Sequence, residues 1–423
     1  MLGTIIHFFF NVIPSWIDFL MSIPHSNDST PIPFAEINRR CSRLQKTIKE
    51  EEIDGILIVQ RVDLLYFSGT AQEGILYVPA EGDPVLFIKR YIPRARRESP
   101  LSQILPIDSL RDIPGCLMDQ YSTLPRTLGL EFDVMPVAEF KFYQKCFPSQ
   151  KLVDASASIL DVRKIKSPWD IQQMEHTAEM SSQTFDHMRQ ILTPGLSEMA
   201  FAGLFENFAR DRGHAGKLRV RNYRTEGYSW HVLSGKSGGM TGVLDSPASG
   251  EGSSYAFPCG AGKKTISAGE PIMVDFASVL NGFHMDETRM FAIGQMPNKA
   301  LQAAQAAMAI HQELLDTIKP GMCAHDVFSH ALHIAESSGY KESYLGIPGH
   351  QVSFIGHGIG YELIEPPIIA RAKEDILRPG MTIALEPKFV FENEFSAGIE
   401  SVFLVTDTGT RLISKTPLEI FIC

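Results

Sequence analysis

Apolar positions recur at two different periods along this chain, and the switches between them divide it. Ile37, Cys41, Leu44 and Ile48 fall at three- and four-residue spacing and form one stripe, which predicts an amphipathic helix. Short apolar runs of strand type follow at 55–59 (GILIV), 75–79 (ILYVP) and 84–88 (PVLFI), the last two separated by a polar EGD turn. Another strand-and-turn piece lies at 127–133 (TLGLEFD). Strands alternating with helical stretches predict a small α/β domain ending near residue 160.

A long helical pattern then opens at Pro168, where a missing N–H does no harm in a first turn, and runs to Gly195. Residues 300–321 repeat the design, a long helix closed by Lys-Pro-Gly, and the continuations LTPGLSEMAFAG and IKPGMCAHDVFS also match. The spacing from Pro194 to Pro320 is 126 residues, too long for a solenoid unit, so it reads as duplication of half a domain. Strand-like segments lie between the repeats (230–235, 271–279, 290–294) and after the second (351–356, 381–391, 398–406). The expected division is an extension and linker over 1–33, an α/β domain over 34–160 and a larger catalytic domain over 161–423.

Composition narrows the class. A chain of 423 residues that is 44% hydrophobic and 21% charged can bury a large core in more than one domain. The net charge of −10 argues against nucleic acid as a partner, because phosphate binding needs basic patches. Six scattered cysteines without a CxxC pair indicate neither a zinc finger nor a redox motif, and point to a reducing, cytoplasmic setting. Residues 2–22 are strongly apolar, yet no Lys or Arg precedes Arg39, and His7, Asn11, Pro14 and Asp18 interrupt the run. A dispensable extension is therefore expected there in preference to a membrane anchor.

The chemistry concentrates in the last third. Asp275 and Asp286 flank FASVLNGFHM, whose Asn-Gly turn predicts a hairpin that brings the two carboxylates face to face. Thr288 and Arg289 follow and are placed to brace Asp286. His357 lies in GHGIG, where flanking glycines would let backbone pass close to a ligand or metal. Glu386 ends the apolar run MTIAL, and Glu400 precedes SVFLVT. A carboxylate on a buried strand is costly unless its charge is neutralised, which a metal ion would do. Each residue alone has a blander reading, as a solvated aspartate, a structural histidine or a glutamate paired with Lys or Arg.

Together, in this order and spacing, D-x10-D-x-T-R, G-H-G-I-G, E-P and G-I-E resemble the pita-bread metallopeptidases, the family of Xaa-Pro aminopeptidase, prolidase, methionine aminopeptidase and the metal-free creatinase. The resemblance covers roughly 35–423. It implies a creatinase-like α/β N-terminal domain and a pseudo-twofold α+β pita-bread catalytic domain, and it points to the Xaa-Pro branch. It further implies two divalent metal ions, with Mn²⁺ suited to the oxygen-rich ligands ahead of Co²⁺ or Zn²⁺. By the same resemblance Asp275 chelates one ion, Asp286 and Glu400 bridge both, and His357 and Glu386 complete the other. Glu386 would also relay a proton from the attacking water to the leaving amine. A peptide substrate and a homodimer are expected.

Three departures stand beside this match. Cys259, in FPCGAGKK, occupies the place of a first pocket histidine, and Ile364 that of a second. Gly398 replaces an arginine often found two residues before the last glutamate. His231, in SWHVLSG, is a candidate substitute for the first histidine and is assigned a catalytic role with Glu386; its alternative is a strand histidine with a structural hydrogen bond. His284, two residues before Asp286, is nearer in sequence. The departures leave two alternatives open on the same fold: a metal-dependent lyase or non-peptide hydrolase, and a binding protein without turnover.

Overall fold

The computed structural model describes residues 31–221, 224, 227, 230–242 and 246–423, so the expected extension and most of its linker lie outside the described residues. The first described helix, Phe34–Glu50, buries Ile37, Cys41, Leu44 and Ile48, the stripe read from periodicity. It covers a six-stranded sheet in which Gly55–Ile58 lies between Gly74–Pro79 and Thr127–Leu130. Gly74–Pro79 and Val85–Ile88 form the expected antiparallel hairpin.

The catalytic half repeats one plan. The helix Pro168–Ile191 opens with a reciprocal cap: Asp170 N donates to Ser167 Oγ at 3.0 Å, and Ser167 N donates to Asp170 Oδ2 at 2.9 Å. With Glu198–Asp211 it packs Phe185, Met188, Phe201 and Phe205 onto Val274, Phe276 and Phe291. The second pair, Asn298–Thr317 and Ala324–Ser337, buries Ala300, Ala303, Ala304 and Ala307 against Ile355, Ile383, Leu385 and Phe403. The alanine row presents a flat helix face to the sheet, where larger side chains would hold the two apart. Each helix pair is followed by antiparallel strands, Trp230–Ser234, Ile272–Leu280 and Phe283–Ala292 in the first half and Phe354–Gly358, Glu365–Ala370, Thr382–Leu385 and Ser401–Val405 in the second.

Two long readings are broken by the backbone. The apolar run 381–391 is two strands, Thr382–Leu385 and Lys388–Phe391, interrupted at Glu386-Pro387, because Pro387 has no N–H for a ladder. The run 398–406 is likewise cut at Glu400, between Phe395–Gly398 and Ser401–Val405.

Buried charge ties the N-terminal helices Arg61–Ser68 and Ser156–Lys164 to the segment that opens the strand Glu365–Ala370. Arg163 is 2% exposed and pairs with Asp63 at 2.7 Å, with Glu362 at 2.9 Å and, by a shorter contact, with Glu365. Lys166 takes the other Glu365 oxygen at 3.0 Å. Among the described residues no helix is long and apolar enough to cross a membrane.

Candidate metal centre

The hairpin carrying the first two aspartates turns at Asn281-Gly282, both with positive φ (53° and 90°), the geometry whose twist suits a two-residue connection. That turn fixes the register, so Asp275 lies opposite Thr288 and Asp286 opposite Ala277. The two carboxylates share a face but are diagonal neighbours; they are not face to face, because pairing closes at Leu280–Phe283. Val274 and Phe276 pack on the helix side, which sends Asp275 to the opposite face by strand alternation.

His357 sits in register with Ala384, two residues before Glu386, which brings its ring beside that carboxylate. Its Nδ1 is 3.0 Å from Gly358 O, a contact that in the neutral ring assigns the proton to Nδ1 and leaves Nε2 as the ligand atom. Nε2 lies 3.8 Å from both Asp286 Oδ2 and Glu386 Oε1. The glycines around His357 serve packing. A Cβ at Gly356 would stand 2.4 Å from Ala384 O, and one at Gly358 2.3 Å from Pro366 O. Neighbouring strands, not a ligand, require their smallness.

Glu400 is held by the hairpin. Its backbone bridges Thr288, and Thr288 Oγ1 donates to Glu400 Oε2 at 2.9 Å. Arg289 donates to Glu400 O and to the carbonyls of Thr288, Thr416 and Pro417. Thr288 and Arg289 thus brace Glu400 instead of Asp286, because the strand-to-strand bridge sets Glu400 directly across from Thr288.

Asp286, His357 and Glu400 each offer a ligand atom within 4.8 Å of the others. Asp286 Oδ1 and Glu400 Oε1 are buried acceptors without a hydrogen-bond partner. Two orphaned carboxylate oxygens and a lone-pair nitrogen in one pocket fit a divalent cation. Asp275 and Glu386 meet a different cation. Lys388 Nζ donates to Asp275 Oδ2 at 2.9 Å, Glu386 Oε2 at 2.9 Å and Glu400 Oε2 at 3.0 Å. Lys388 was not singled out from the sequence, although it directly follows Glu386-Pro387. The legible signal was its i+2 spacing from Glu386 on a strand, which puts both on one face.

The electrostatics follow from this crowding. Burial raises the Asp286 carboxyl well above its usual range, and the charges of Glu400 and Asp275 add to it. Burial likewise pushes Glu400 up to about 8, against the pull of Lys388. Burial would raise Asp275 too, but Lys388 and His231 hold it below the usual carboxylate range. For Lys388, burial opposes the charge, and Asp275, Glu386 and Glu400 outweigh it, so the ammonium is held well above its ordinary value.

His231 lies directly across the strands from Asp275, with Nδ1 3.6 Å from Asp275 Oδ2 and Nε2 3.1 Å from Cys259 Sγ. The cysteine at the first pocket-histidine position therefore touches the proposed substitute. Burial works against the imidazolium, but Asp275 and Cys259 push its pKa up to about 10. His284 is turned elsewhere: Nδ1 faces Gly360 O at 3.0 Å, and Nε2 accepts from Arg219 N at 3.1 Å. Both its nitrogens are used in holding backbone. Ile364, at the second histidine position, is 41% exposed.

Residues 172–407 match the metallopeptidase family M24, and residues 40–165 match the creatinase/prolidase N-terminal domain. The chain belongs to metallopeptidase family M24. It is 26% identical over 388 residues to an uncharacterized peptidase of Bacillus subtilis, covering 90% of this chain and 99% of that protein. It is 25% identical over 388 residues to a Xaa-Pro dipeptidase of Pyrococcus furiosus, covering 91% of this chain and all of the other. Among solved structures, a Xaa-Pro dipeptidase from Bacillus anthracis superposes with a TM-score of 0.78 at 22% identity, over 92% of this chain and 100% of that one. Family M24 membership implies divalent metal ions, and the fold is the creatinase-type N-terminal domain followed by the pita-bread catalytic domain.

Proposed function

We propose that this M24 peptidase removes the N-terminal residue from Xaa-Pro peptides with a divalent ion held by Asp286, His357 and Glu400. The observation that carries it is the convergence of these three side chains, with two orphaned oxygens among them, from strands of both repeats. The relatives named Xaa-Pro dipeptidase supply the substrate class. Mn²⁺ is the proposed ion, because carboxylates outnumber imidazole, with Co²⁺ or Zn²⁺ as substitutes.

A divalent ion bound there supplies Lewis acidity, making water nucleophilic near neutral pH and polarising the scissile carbonyl. The chain's own residues do the rest. Glu386 borders the same pocket, its Oε1 directed at His357 and its Oε2 at Lys388. It is proposed to take a proton at Oε1 from the attacking water and to release it to the leaving amine. Asp275 keeps His231 and Lys388 oriented, and His231 is proposed to donate to the substrate from Nε2 in exchange for its contact with Cys259.

The test is turnover of a panel of Xaa-Pro dipeptides and longer peptides by protein loaded with Mn²⁺, with Glu386→Ala as control. Release of the residue before proline by wild type alone is expected. Equal rates in both proteins, or no turnover across the panel, would overturn the reading. Cys259 and Ile364 favour a second reading, a metal-dependent lyase or non-peptide hydrolase, which predicts bound metal without peptide turnover. A cytoplasmic homodimer is also proposed. Six free cysteines support the compartment, and light scattering of the purified protein tests the dimer.

A further inference from the structure

Lys388 is 2% exposed, and its ammonium is enclosed by carboxylates. An ammonium has three protons, and each has a separate carboxylate acceptor: Asp275, Glu386 and Glu400, at 2.9, 2.9 and 3.0 Å. Two of these acceptors, Asp275 and Glu386, lie outside the trio that offers ligand atoms to an ion. The lysine therefore engages Asp275, the carboxylate that the resemblance gives to one ion alone, and competes with that ion for its lone pairs.

The fold makes room for it. Gly398 lies directly opposite Lys388 on the paired strand, and a Cβ there would stand 2.5 Å from Lys388 Cγ. Position 398 is also where the resemblance expects an arginine. The positive charge and the small residue have thus been arranged across one strand pair, so that the cation projects from 388 and the space is left at 398.

Charge agrees with the geometry. An ion chelated by Asp275 would stand in repulsive contact range of the ammonium that already takes the same carboxylate.

We propose that Lys388 is a built-in cation that replaces one ion of the expected pair, so that the chain binds a single divalent ion, on Asp286, His357 and Glu400. This rests on the reading of the pocket as a metal centre, but not on its substrate.

The experiment counts ions. Wild-type protein is stripped, loaded with Mn²⁺ and desalted, and bound metal is measured by native mass spectrometry, with electron paramagnetic resonance of the same sample. One Mn²⁺ per chain with the spectrum of an isolated ion is expected. Lys388→Ala, which vacates the space, is expected to take up twice the metal and to show a spin-coupled pair. Two ions in wild type would overturn the proposal while leaving the peptidase reading intact. No ion in wild type would overturn both. A folded Lys388→Ala that still binds one ion would also overturn it. Should that variant not fold by circular dichroism, the wild-type count decides. One bound ion without peptide turnover supports this inference and counts only against the substrate.

Discussion

A Cβ at Gly398 would lie 2.5 Å from Cγ of Lys388, its partner across the strand pair, and 3.0 Å from Pro387 O. Neither contact can relax freely, since Lys388 is anchored at its far end by three carboxylates. Gly398→Ala is therefore expected to destabilise the fold by about 1–3 kcal/mol, the usual range for overpacking. In the Lys388→Ala background the same change should cost less, because its contact has gone. Urea denaturation of the double-mutant cycle measures that coupling, and strict additivity would refute the contact.

Arg163 neutralises three buried acids at once. Arg163→Ala leaves Asp63, Glu362 and Glu365 buried together, so a loss of about 3–5 kcal/mol is expected. Chemical denaturation checks this, and a change below about 1 kcal/mol would show that the network relaxes.

Acid stability carries a signed prediction. Burial would raise Glu365, but Arg163 and Lys166 pull its pKa down to about 2, against an ordinary 4.5. A depressed carboxyl stabilises the fold fully above its unfolded pKa and loses that contribution as pH falls toward the folded value. Stability should therefore fall between about pH 4.5 and 2, and Glu365→Gln should flatten that part of the profile.

His284 gives a second window. Burial lowers its pKa to about 4 from 6.5, with the neutral ring accepting from Arg219 N. The unfolded chain binds the extra proton between these values, so stability should rise with pH from about 4 to 6.5. His284→Asn should reduce this slope. An unchanged slope from thermal unfolding across the window would place the protonation elsewhere.

Metal removal should weaken the protein without unfolding it. A divalent ion at one hundred times its dissociation constant adds about 2.7 kcal/mol by mass action. Chelation should remove that increment, whereas Lys388 keeps Asp275, Glu386 and Glu400 compensated. The melting temperature should rise with added Mn²⁺ in wild type and stay flat in Asp286→Asn.

The sequence by itself determined much of this protein. Periodicity gave the first described helix, because Ile37, Cys41, Leu44 and Ile48 are a local pattern on one helical face. The Asn281-Gly282 dipeptide determined the hairpin, since few other residues accept positive φ twice in succession. Motif order made Asp275, Asp286, His357, Glu386 and Glu400 legible as one set.

What only the tertiary structure decided concerns contacts between distant segments. Register, set by pairing at Leu280–Phe283, placed Asp275 diagonally from Asp286. The bridge from Thr288 to Glu400 redirected the supporting hydrogen bonds across 112 residues of sequence separation. No local pattern announces that Lys388 fills a pocket built from Asp275 and Glu400, or that Gly398 makes the space. A buried charge is meaningful only through its partners, and those partners become neighbours only when the chain folds.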